Sequence, residues 1–440
     1  MSESRSKVRV ALLGGGTVGG GVMRLLEENA DRLTDAVGAP IELAHVLVRN
    51  LDRPRVSQCK QEWLTTDPER VFNDSSVDIV VEVMGGTTLA KEYIKRALAA
   101  GKDVVSANKS LLARCGPELV ASAAKASVDL AFEASVGGGV PVIRTLRDAL
   151  RSDRVSSVHG LLNGTCNYIL TRMEREGVGY EQVLEDAQKL GYAEAEPSLD
   201  VDGHDATQKL VVLSMLAFGA AVDDRSVSVE GIREIDQLDF RFAERFGFTI
   251  KHLVVGVERG AELELRAHPA FVPNDSPLAG IHGVLNGVLI QGVALGPCLL
   301  VGQGAGALPT AVSVVADIVD VARSRRVGAH GAMTRSIQPK ERPLVELDTV
   351  TTRYYLRFEV QDEPGVLGNI TSALGAQGVS VEHIVQETIA REGASDEHRG
   401  VPVLMITHEC PEGKVKAALG AISAQPFMKR PPRFIRIEKI

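Results

Sequence analysis

The segment KVRVALLGGGTVGGGVMRLLEENADRL (residues 7–33) decides the fold, because a strand pattern gives way to a helix pattern at a run of glycines. The apolar run Val8–Leu13 predicts a buried strand, and a Gly-x-Gly-x-x-Gly motif separates it from the helix, as in the dinucleotide-binding fingerprint. The first glycine allows a tight turn, the second lets the backbone approach a pyrophosphate at the helix N-terminus, and the third permits close packing. The predicted cofactor contacts here are Gly14, Gly16, Thr17, Val18 and Gly19.

The second predicted strand, IELAHVLVR (41–49), ends in Arg49. An acidic residue at this position would bind the ribose 2′-hydroxyl of NAD, whereas an arginine suits the 2′-phosphate of NADP. Arg53 and Arg55 follow nearby. The sequence therefore favours NADP, with NAD as the alternative, and the arginines could also be simple surface charge.

Strand and helix patterns continue to alternate after this point. VDIVVEVMGG (77–86) and DVVSANKSLLA (103–113) predict strands, and TLAKEYIKRALAAG (88–101) predicts the helix between them. A further strand and a glycine turn follow in VDLAFEASVGGGVPVI (128–143). This order predicts a parallel, doubly wound, Rossmann-type sheet, in which ligands bind outside the carboxyl ends of the strands. The residues expected at those ends are Gly85, Gly86, Ser106 and Lys109.

The composition excludes several classes of partner. The chain has 440 residues, a formal net charge of −8 and no basic stripe, which argues against nucleic acid. It contains no apolar stretch of membrane-spanning length, and MSESRSKVRV (1–10) lacks the apolar core of a signal peptide. Its five cysteines are scattered, and its ten histidines lack zinc-site spacings. We therefore expect a cytoplasmic protein without a membrane or nucleic-acid partner.

The segment DVDGHDATQKLVVLSMLAFG (200–219) places Asp205 and Lys209 one turn apart on a helix that enters the core. One interpretation is a helix cap with a surface ion pair, and the other is a proton-transfer pair at the mouth of a site.

The carboxylates of the acidic loop around the start of this helix fall into two sets. The carboxylates interpreted as solvated are Glu196 and Asp202. Those expected to cradle a cationic group, such as a substrate ammonium, are Glu194, Asp200 and Asp205.

The longer segment AQKLGYAEAEPSLDVDGHDATQK (187–209) resembles the signature of the homoserine dehydrogenase family. Three further segments resemble family motifs in the same order, and the likeness runs through nearly the whole chain. They are VVSANKSLLA (104–113), FEASVGGGVPVI (132–143) and GQGAGALPTA (302–311). One position departs from the pattern, because Glu196 precedes Pro197 where aspartate, asparagine or serine is usual.

This resemblance implies a reversible, NAD(P)H-dependent reduction of L-aspartate 4-semialdehyde to L-homoserine, in threonine, methionine and isoleucine biosynthesis. Hydride adds to the aldehyde carbon, and Lys209, oriented by Asp205, is expected to donate the proton that the new alkoxide needs. Lys109 is expected to hold the substrate near the nicotinamide. The expected substrate-binding residues are Tyr192, Glu194, Asp200 and Lys109. Purely structural ion pairs are the alternative for the two lysines.

The resemblance also implies a monovalent cation, sodium, held mainly by backbone carbonyls in the loop FEASVGGGVPVI, where glycines let carbonyls converge. The expected ligands are Glu133, Val136, Gly138 and Val140. A plain turn is the alternative. Gly304 is expected near the nicotinamide, and the helix that follows it (309–323) is expected to return to the nucleotide domain.

The C-terminal region predicts a separate domain with the order βαββαβ, which is ferredoxin-like. Within it, DEPGVLGNITSALGAQGVSVEHIVQ (362–386) resembles an ACT domain, and this resemblance implies feedback control by L-threonine. The expected effector residues are Asp362, Gly365 and Asn369. A dimerisation module without a ligand is the alternative.

These patterns divide the chain into four regions. They are an NAD(P)-binding domain (1–140), an α+β substrate-binding, catalytic and dimerisation domain (141–308), a polar linker (324–350) and the ACT domain (351–440). We expect a homodimer or homotetramer. Two other functions remain open: a non-catalytic sensor of nucleotides and amino acids, and a dehydrogenase of another amino-acid aldehyde.

Overall fold

The computed structural model describes residues 7–56, 58–386 and 400–440, which form an N-terminal, a middle and a C-terminal unit. The N-terminal unit alternates strands and helices as the sequence predicts. Its strands are β1 (Val8–Leu13), β2 (Ile41–Leu47), β3 (Leu64–Thr65), β4 (Ile79–Glu82), β5 (Asp103–Ser106) and β6 (Leu130–Ala131). Its helices are α1 (Thr17–Glu28), α2 (Ala30–Val37), α3 (Glu69–Phe72), α4 (Thr88–Ala99) and α5 (Lys109–Ala126).

The strands of this unit pair in the order β3-β2-β1-β4-β5-β6, and every pairing is parallel. This is the order of the Rossmann fold, so the predicted fold class is confirmed. The strand order reverses beside β1, which places the glycine turn after β1 and the loop after β4 at the same edge of the sheet.

The middle unit combines helices with long antiparallel strands. Its helices are α6 (Val142–Arg144), α7 (Gly164–Glu176), α8 (Tyr180–Lys189), α9 (Ser198–Val201), α10 (His204–Ala217), α11 (Gln237–Arg245), α12 (Ala307–Arg326) and α13 (Ala332–Arg335). Its strands are β7 (Val155–Leu161), β8 (Ala220–Ala221), β9 (Ser228–Val229), β10 (Phe248–Arg259), β11 (Glu262–Pro273), β12 (Leu285–Gly292), β13 (Gly296–Gln303) and β14 (Lys340–Glu341).

Helix α12 packs against α1 of the nucleotide-binding unit, as expected for the helix that follows the late glycine loop. It extends beyond the predicted 309–323 at both ends. A glycine makes this contact possible: a Cβ atom added to Gly21 would lie 2.6 Å from the Ala307 carbonyl oxygen and 2.9 Å from the Ala311 Cβ. The third glycine of the GGG run in α1 therefore lets the two helices approach closely.

The C-terminal unit has the order βαββαβ with one extra short strand. Its elements are β15 (Thr351–Val360), α14 (Val366–Ala376), β16 (Val381–Gln386), β17 (Val401–Thr407), β18 (Cys410–Pro411), α15 (Glu412–Ser423) and β19 (Arg433–Ile437). Strand β19 pairs in parallel with β11 through Ala270↔Arg436 and Phe271↔Ile437. The sheets of the middle and C-terminal units are therefore continuous, in the order β13-β12-β7-β10-β11-β19-β15-β17-β16.

The stretch 324–350, expected to be a polar linker, contains the end of α12 together with α13 and β14. Strand β14 pairs with β8, and the buried Asp129 side chain accepts a hydrogen bond from the Gly331 N–H at 2.8 Å. The stretch is thereby fixed to the middle and N-terminal units. Among the helices of the described ranges, none is both long and apolar enough to cross a membrane.

Candidate active site

A cavity of about 390 Å³ opens at the carboxyl ends of β1, β2 and β4. The glycine turn forms one wall, and Gly14 and Gly19 each have a steric reason to be there. Gly14 has a φ of 113°, and a Cβ added to Gly19 would lie 2.2 Å from the Gly14 carbonyl oxygen. An added Cβ at Gly16 would meet nothing within 4 Å, so the backbone before α1 faces open space. This wall fits a pyrophosphate at a helix N-terminus.

Three arginines that follow β2, Arg49, Arg53 and Arg55, also line this cavity. The Arg55 guanidinium donates to the carbonyl oxygens of Leu51, at 3.0 Å, and of Arg53, at 2.7 Å. Arg55 therefore shapes the loop, whereas Arg49 and Arg53 are exposed at its surface. The cavity is cationic at the position where the sequence predicts a 2′-phosphate.

Glu82, the last residue of β4, organises the other side of this cleft and is not among the residues predicted from the sequence. Its Oε1 accepts hydrogen bonds from the N–H groups of Met84, at 3.0 Å, and Gly85, at 3.2 Å. Its Oε2 accepts the Ser106 hydroxyl at 2.8 Å. Burial raises the pKa of Glu82, and these hydrogen bonds only partly offset that rise. One carboxylate thus fixes the ends of β4 and β5. The sequence signal that could have indicated Glu82 is a charged residue at the end of the mainly apolar run VDIVVE (77–82).

We expect Glu82→Leu to raise the KM for the dinucleotide about tenfold or more, because it leaves buried N–H and hydroxyl donors unpaired. Glu82→Gln, which can still accept from the backbone and donate to Ser106, should stay close to wild type. Steady-state kinetics of both variants checks this. An unchanged KM for the dinucleotide in Glu82→Leu would show that the carboxylate does not position it.

Asp205 and Lys209 lie on one face of α10, and Asp205 is shared by two lysines. The Lys209 Nζ is 2.7 Å from the Asp205 Oδ2, and the Lys109 Nζ is 2.8 Å from the Asp205 Oδ1. The Lys209 Nζ also donates to the Leu162 carbonyl oxygen at 2.6 Å. Lys109 begins α5 at the carboxyl end of β5, directly after Asn108, whose side chain caps the helix. The carboxylate therefore bridges the nucleotide-binding and middle units.

Asp205, Lys109 and Lys209 form a triad in which the carboxylate lies in contact with both ammonium groups. Burial acts to raise the pKa of Asp205, but Lys209 and Lys109 outweigh it and hold that pKa well below its usual range. Burial acts to lower the pKa of Lys109, and Asp205, followed by Asp200 and Glu194, outweighs it, so the pKa of Lys109 is raised. Asp205 is therefore ionised and Lys109 protonated at neutral pH.

Asn163, the N-cap of α7, connects the acidic loop to the triad and is a second residue that the sequence did not mark. Its Nδ2 donates to the Asp200 Oδ1 at 2.7 Å and to the Asp205 Oδ2 at 2.8 Å, while its Oδ1 accepts from the Cys166 N–H at 2.8 Å. Thr165 adds a hydrogen bond to the Asp200 Oδ2 at 3.3 Å. Burial, together with Asp205, raises the pKa of Asp200.

The remaining loop residues lie further out. Tyr192 is 46% exposed and packs on Tyr168, with ring centroids 4.9 Å apart. Glu194 is exposed, and its backbone carbonyl accepts from the Gln188 side chain at 3.0 Å. Asp202 pairs with Arg233 at 2.5 Å, away from the triad. Asp200 and Asp205 thus lie beside the lysine pair, whereas Glu194 is exposed and Asp202 is in an ion pair, so the division of the loop carboxylates stays a prediction.

The loop expected to bind a cation is tightly folded against the late glycine loop. Gly138 has a φ of 55°, and a Cβ added there would lie 2.4 Å from the Gly304 carbonyl oxygen. The Glu133 carboxylate accepts from the N–H groups of Ile143 and Arg144, each at 2.8 Å, so it also holds α6 in place. The Gly138 carbonyl accepts the Ser313 hydroxyl at 2.6 Å. Within the described ranges, no group of three or more His, Cys, Asp or Glu side chains is arranged to hold a metal.

The expected effector residues lie at the start of α14 in the C-terminal unit. Gly365 precedes the helix with a φ of 91°, and its carbonyl accepts from the Asn369 N–H at 3.0 Å. Asp362, Gly365 and Asn369 are all exposed. The structure thus places them together on the surface, far along the chain from the lysine pair.

Three family models match the chain in succession. Residues 14–133 match the homoserine dehydrogenase NAD-binding domain, residues 141–319 match homoserine dehydrogenase, and residues 354–426 match the ACT domain.

Curated relatives and solved structures agree with these matches. A homoserine dehydrogenase from Neisseria gonorrhoeae is 38% identical over 98% of this chain and 99% of its own length. The crystal structure of a homoserine dehydrogenase from Thiobacillus denitrificans has a TM-score of 0.91 at 39% identity, covering 98% of both chains. A hyperthermophilic archaeal homoserine dehydrogenase in complex with NADPH has a TM-score of 0.62 at 26% identity, covering 72% of this chain and 97% of that one.

Proposed function

The chain belongs to the homoserine dehydrogenase family and is an oxidoreductase, and from this premise we propose that Lys209 is its proton donor in the NADPH-dependent reduction of L-aspartate 4-semialdehyde to L-homoserine. The family resemblance of the sequence motifs is confirmed. The observation that carries the proposal is the Asp205 carboxylate, which holds Lys109 at 2.8 Å and Lys209 at 2.7 Å where the cofactor unit meets the substrate unit. A non-catalytic sensor would have no use for this arrangement.

When bound, the reduced nicotinamide supplies the hydride that adds to the aldehyde carbon. The Lys209 ammonium donates a proton to the carbonyl oxygen as charge develops there, and in the reverse direction the free amine accepts it. Asp205 holds the ammonium in place, and the Leu162 carbonyl fixes its direction. Lys109, which stays protonated, begins α5 at the carboxyl end of β5 and pairs with this carboxylate, so it would orient the substrate oxygen without giving up its own proton.

The amino-acid end of the substrate would bind the acidic loop. Asp200 is held by Asn163 and Thr165, so its carboxylate is positioned to accept the substrate ammonium. Its pKa is raised, and a cationic substrate would favour its ionised form. Tyr192 and Glu194, which are exposed at the loop's outer side, would complete the binding site. Isoleucine, methionine and threonine biosynthesis are the pathways that this product would serve.

We favour NADP over NAD because Arg49 and Arg53 line the cleft at the end of β2. The archaeal relative crystallised with NADPH is consistent with this preference. Gly85, Gly86, Ser106 and Gly304 would approach the nicotinamide end of the cofactor, and Gly14, Gly16, Thr17, Val18 and Gly19 its pyrophosphate.

Replacing Arg49 by alanine tests the preference. We expect kcat/KM for NADPH to fall about 10- to 100-fold, the loss of a hydrogen-bonded charge pair, while kcat/KM for NADH is unchanged. Arg32→Ala, at an exposed arginine of α2, is the matched control. An equal loss with both cofactors would contradict a role in binding the 2′-phosphate.

The sodium ion implied by the family resemblance would be held mainly by the backbone carbonyls of Glu133, Val136, Gly138 and Val140, since oxygen ligands suit a hard cation. Gly137 and Gly138 have positive φ values, a conformation that favours glycine. The Glu133 carboxylate itself is occupied by the N–H groups of Ile143 and Arg144 and by the Arg144 side chain. The role of the ion would be to fix the loop around Gly138 against Gly304.

We further propose that L-threonine exerts feedback control through the ACT domain. We also propose that the enzyme is cytoplasmic and forms a homodimer or homotetramer. The outer residues of β13 support association, because Pro297, Leu299 and Val301 are exposed on a strand at the edge of the sheet.

The direct test of the activity is to mix the purified protein with NADPH and L-aspartate 4-semialdehyde and follow NADPH oxidation. Turnover that depends on the semialdehyde supports the proposal. Turnover with another amino-acid aldehyde alone would instead assign a different substrate to the same cleft.

A further inference from the structure

Beside the shared carboxylate, a second side-chain contact joins the nucleotide-binding unit to the middle unit. The Ser110 hydroxyl donates to the Gln208 Oε1 at 2.7 Å. Ser110 directly follows Lys109 at the start of α5, and Gln208 directly precedes Lys209 on α10. The two helices are therefore joined at neighbouring points, by the ion pair between Lys109 and Asp205 and by this hydrogen bond.

Gln208 is a buried amide in a helix that is packed into the core. It is 6% exposed and lies within an unbroken run of buried residues, 205–215. The hydroxyls of Thr207 and Ser214 in the same run donate to carbonyls of α10 or of its N-cap, at 2.9 and 2.8 Å, whereas the Gln208 amide accepts from another unit. A buried amide is costly unless it is hydrogen-bonded, so this residue favours one placement of α5 against α10.

The start of α5 is itself fixed to the loop after β4. The Asn108 Oδ1 accepts the Leu111 N–H at 3.1 Å and caps the helix, and the Asn108 Nδ2 donates to the Gly86 carbonyl at 2.7 Å. Gly86 is one of the residues proposed to approach the nicotinamide. Two hydrogen bonds, with only the backbone from Asn108 to Ser110 between them, therefore connect that loop to the helix that carries Lys209.

The other contacts between the two helices are less directional. Further from the cleft, a Cβ added to Gly116 would lie 2.8 Å from the Met215 Cε, so the helices pack closely there. A methionine side chain is adaptable, and such an apolar contact holds the helices together without selecting one orientation. A hydrogen bond depends on direction as well as distance. With the ion pair it gives two fixed points, which limit a rotation that one point would permit.

The placement of these helices bears on the reaction, because the proposed cofactor cleft belongs to one unit and Lys209 to the other. The hydride donor and the proton donor must both reach the same carbonyl group. The reacting atoms need to lie about 3–3.5 Å apart, and a misplacement of about 1 Å costs on the order of 10²-fold in rate. A small rotation of α5 against α10 is therefore enough to slow the reaction.

We propose that the hydrogen bond between Ser110 and Gln208 is a positioning contact for the reaction, and that it fixes the amine of Lys209 relative to the bound nicotinamide. This inference rests on the proposed role of Lys209 as proton donor. Neither Ser110 nor Gln208 lines the cofactor cleft, and their side chains bond each other. Both are therefore positioning residues, which act through the placement of the lysines beside them.

Single-turnover oxidation of NADPH tests this in the full-length enzyme, with L-aspartate 4-semialdehyde in excess over the enzyme–NADPH complex. The rate constant reports the chemical step, and the amplitude counts the sites that are folded and have bound NADPH. Ser110→Ala and Gln208→Met should each lower the rate constant about tenfold or more and leave the amplitude close to wild type. Ser110→Thr, which keeps the hydroxyl, should retain the wild-type rate constant.

The double variant Ser110→Ala/Gln208→Met shows whether the two residues act through each other. It should be no slower than the slower single variant, whereas independent roles would multiply the two losses. Ser122→Ala is the matched control, because Ser122 lies on the same helix and its hydroxyl donates to the Glu118 carbonyl of that helix at 2.8 Å. This control should keep the wild-type rate constant.

Wild-type rate constants in Ser110→Ala and Gln208→Met, or losses that multiply in the double variant, would overturn the inference. Lower amplitudes with unchanged rate constants would assign the contact to folding alone and overturn it as well. Lys209→Met separates the inference from the proposal on which it rests. An unchanged rate constant in Lys209→Met would overturn the proposed proton donor, whereas a slow Lys209→Met beside wild-type rates in Ser110→Ala and Gln208→Met would overturn only the inference.

Discussion

Lys209→Met is expected to lower kcat for semialdehyde reduction by about 10²- to 10⁴-fold, the range that a positioned general acid contributes. The variant keeps the length and most of the apolar surface of the side chain but has no proton to donate. The KM for NADPH should change little, because Lys209 lies on α10 of the middle unit and does not line the cofactor cleft. Steady-state NADPH oxidation at saturating substrate measures both quantities.

Lys189→Met is the matched control, because Lys189 forms the same kind of ion pair, with Glu185 four residues earlier at 2.8 Å, on an exposed helix face. This control should retain full activity. A Lys209→Met enzyme with the same kcat as Lys189→Met would contradict the assignment of Lys209 as proton donor.

The two directions of the reaction add a second signature of the same lysine. Reduction uses the ammonium and oxidation uses the free amine, so the pH optimum for homoserine oxidation should be more alkaline than that for semialdehyde reduction. Comparing the kcat profiles in both directions measures this difference. Superimposable profiles would indicate that another group transfers the proton.

Asp205→Asn is expected to cause a loss of kcat comparable to that of Lys209→Met and a loss of stability of about 3–5 kcal/mol, because it leaves two ammonium groups without their carboxylate in a buried site. The pKa of Asp205 is depressed in the folded protein. Its ionisation therefore stabilises the fold above the unfolded pKa, about 3.9, and this contribution is lost as pH falls through the depressed value. In Asp205→Asn this pH-dependent part should be absent.

Denaturant unfolding at several pH values, together with kcat, checks both expectations. Glu185→Gln removes the carboxylate of the exposed pair and should leave stability and activity close to wild type. Wild-type activity in Asp205→Asn would show that the shared carboxylate is a structural feature without a part in the reaction.

The sequence predicted the features that depend on local pattern. The glycine motif follows a strand and opens a helix, and these neighbours in the chain suffice to indicate the Rossmann-type fold. Asp205 and Lys209 are one helical turn apart, so their pairing could also be expected before the structure was known. The βαββαβ order of the C-terminal domain follows from the same kind of local alternation.

Contacts between distant segments could not be predicted in this way. The sequence places Lys109 at the end of a strand, but only the packing of α5 against α10 brings it to Asp205. Asn163 carries no sequence signal for the site, yet its amide joins Asp200 to Asp205. The pairing of β19 with β11, which continues the middle sheet into the ACT domain, has no local signal either.

The polar stretch 324–350 shows why composition alone misleads about order. Its charged and small residues are typical of a solvated linker, yet β14 pairs with β8 and the buried Asp129 holds Gly331 and Thr334. A buried carboxylate needs hydrogen-bond donors, and this segment supplies them, which fixes its place in the fold.

If Lys209 is the proton donor, its amine and the reacting carbon of the substrate must meet beside the nicotinamide. A crystal structure of the full-length protein with L-homoserine and oxidised NADP shows whether they do. We expect the Lys209 Nζ within about 2.6–3.2 Å of the homoserine hydroxyl oxygen. A complex in which that hydroxyl lies against another side chain, with Lys209 still bound only to Asp205 and Leu162, would contradict it.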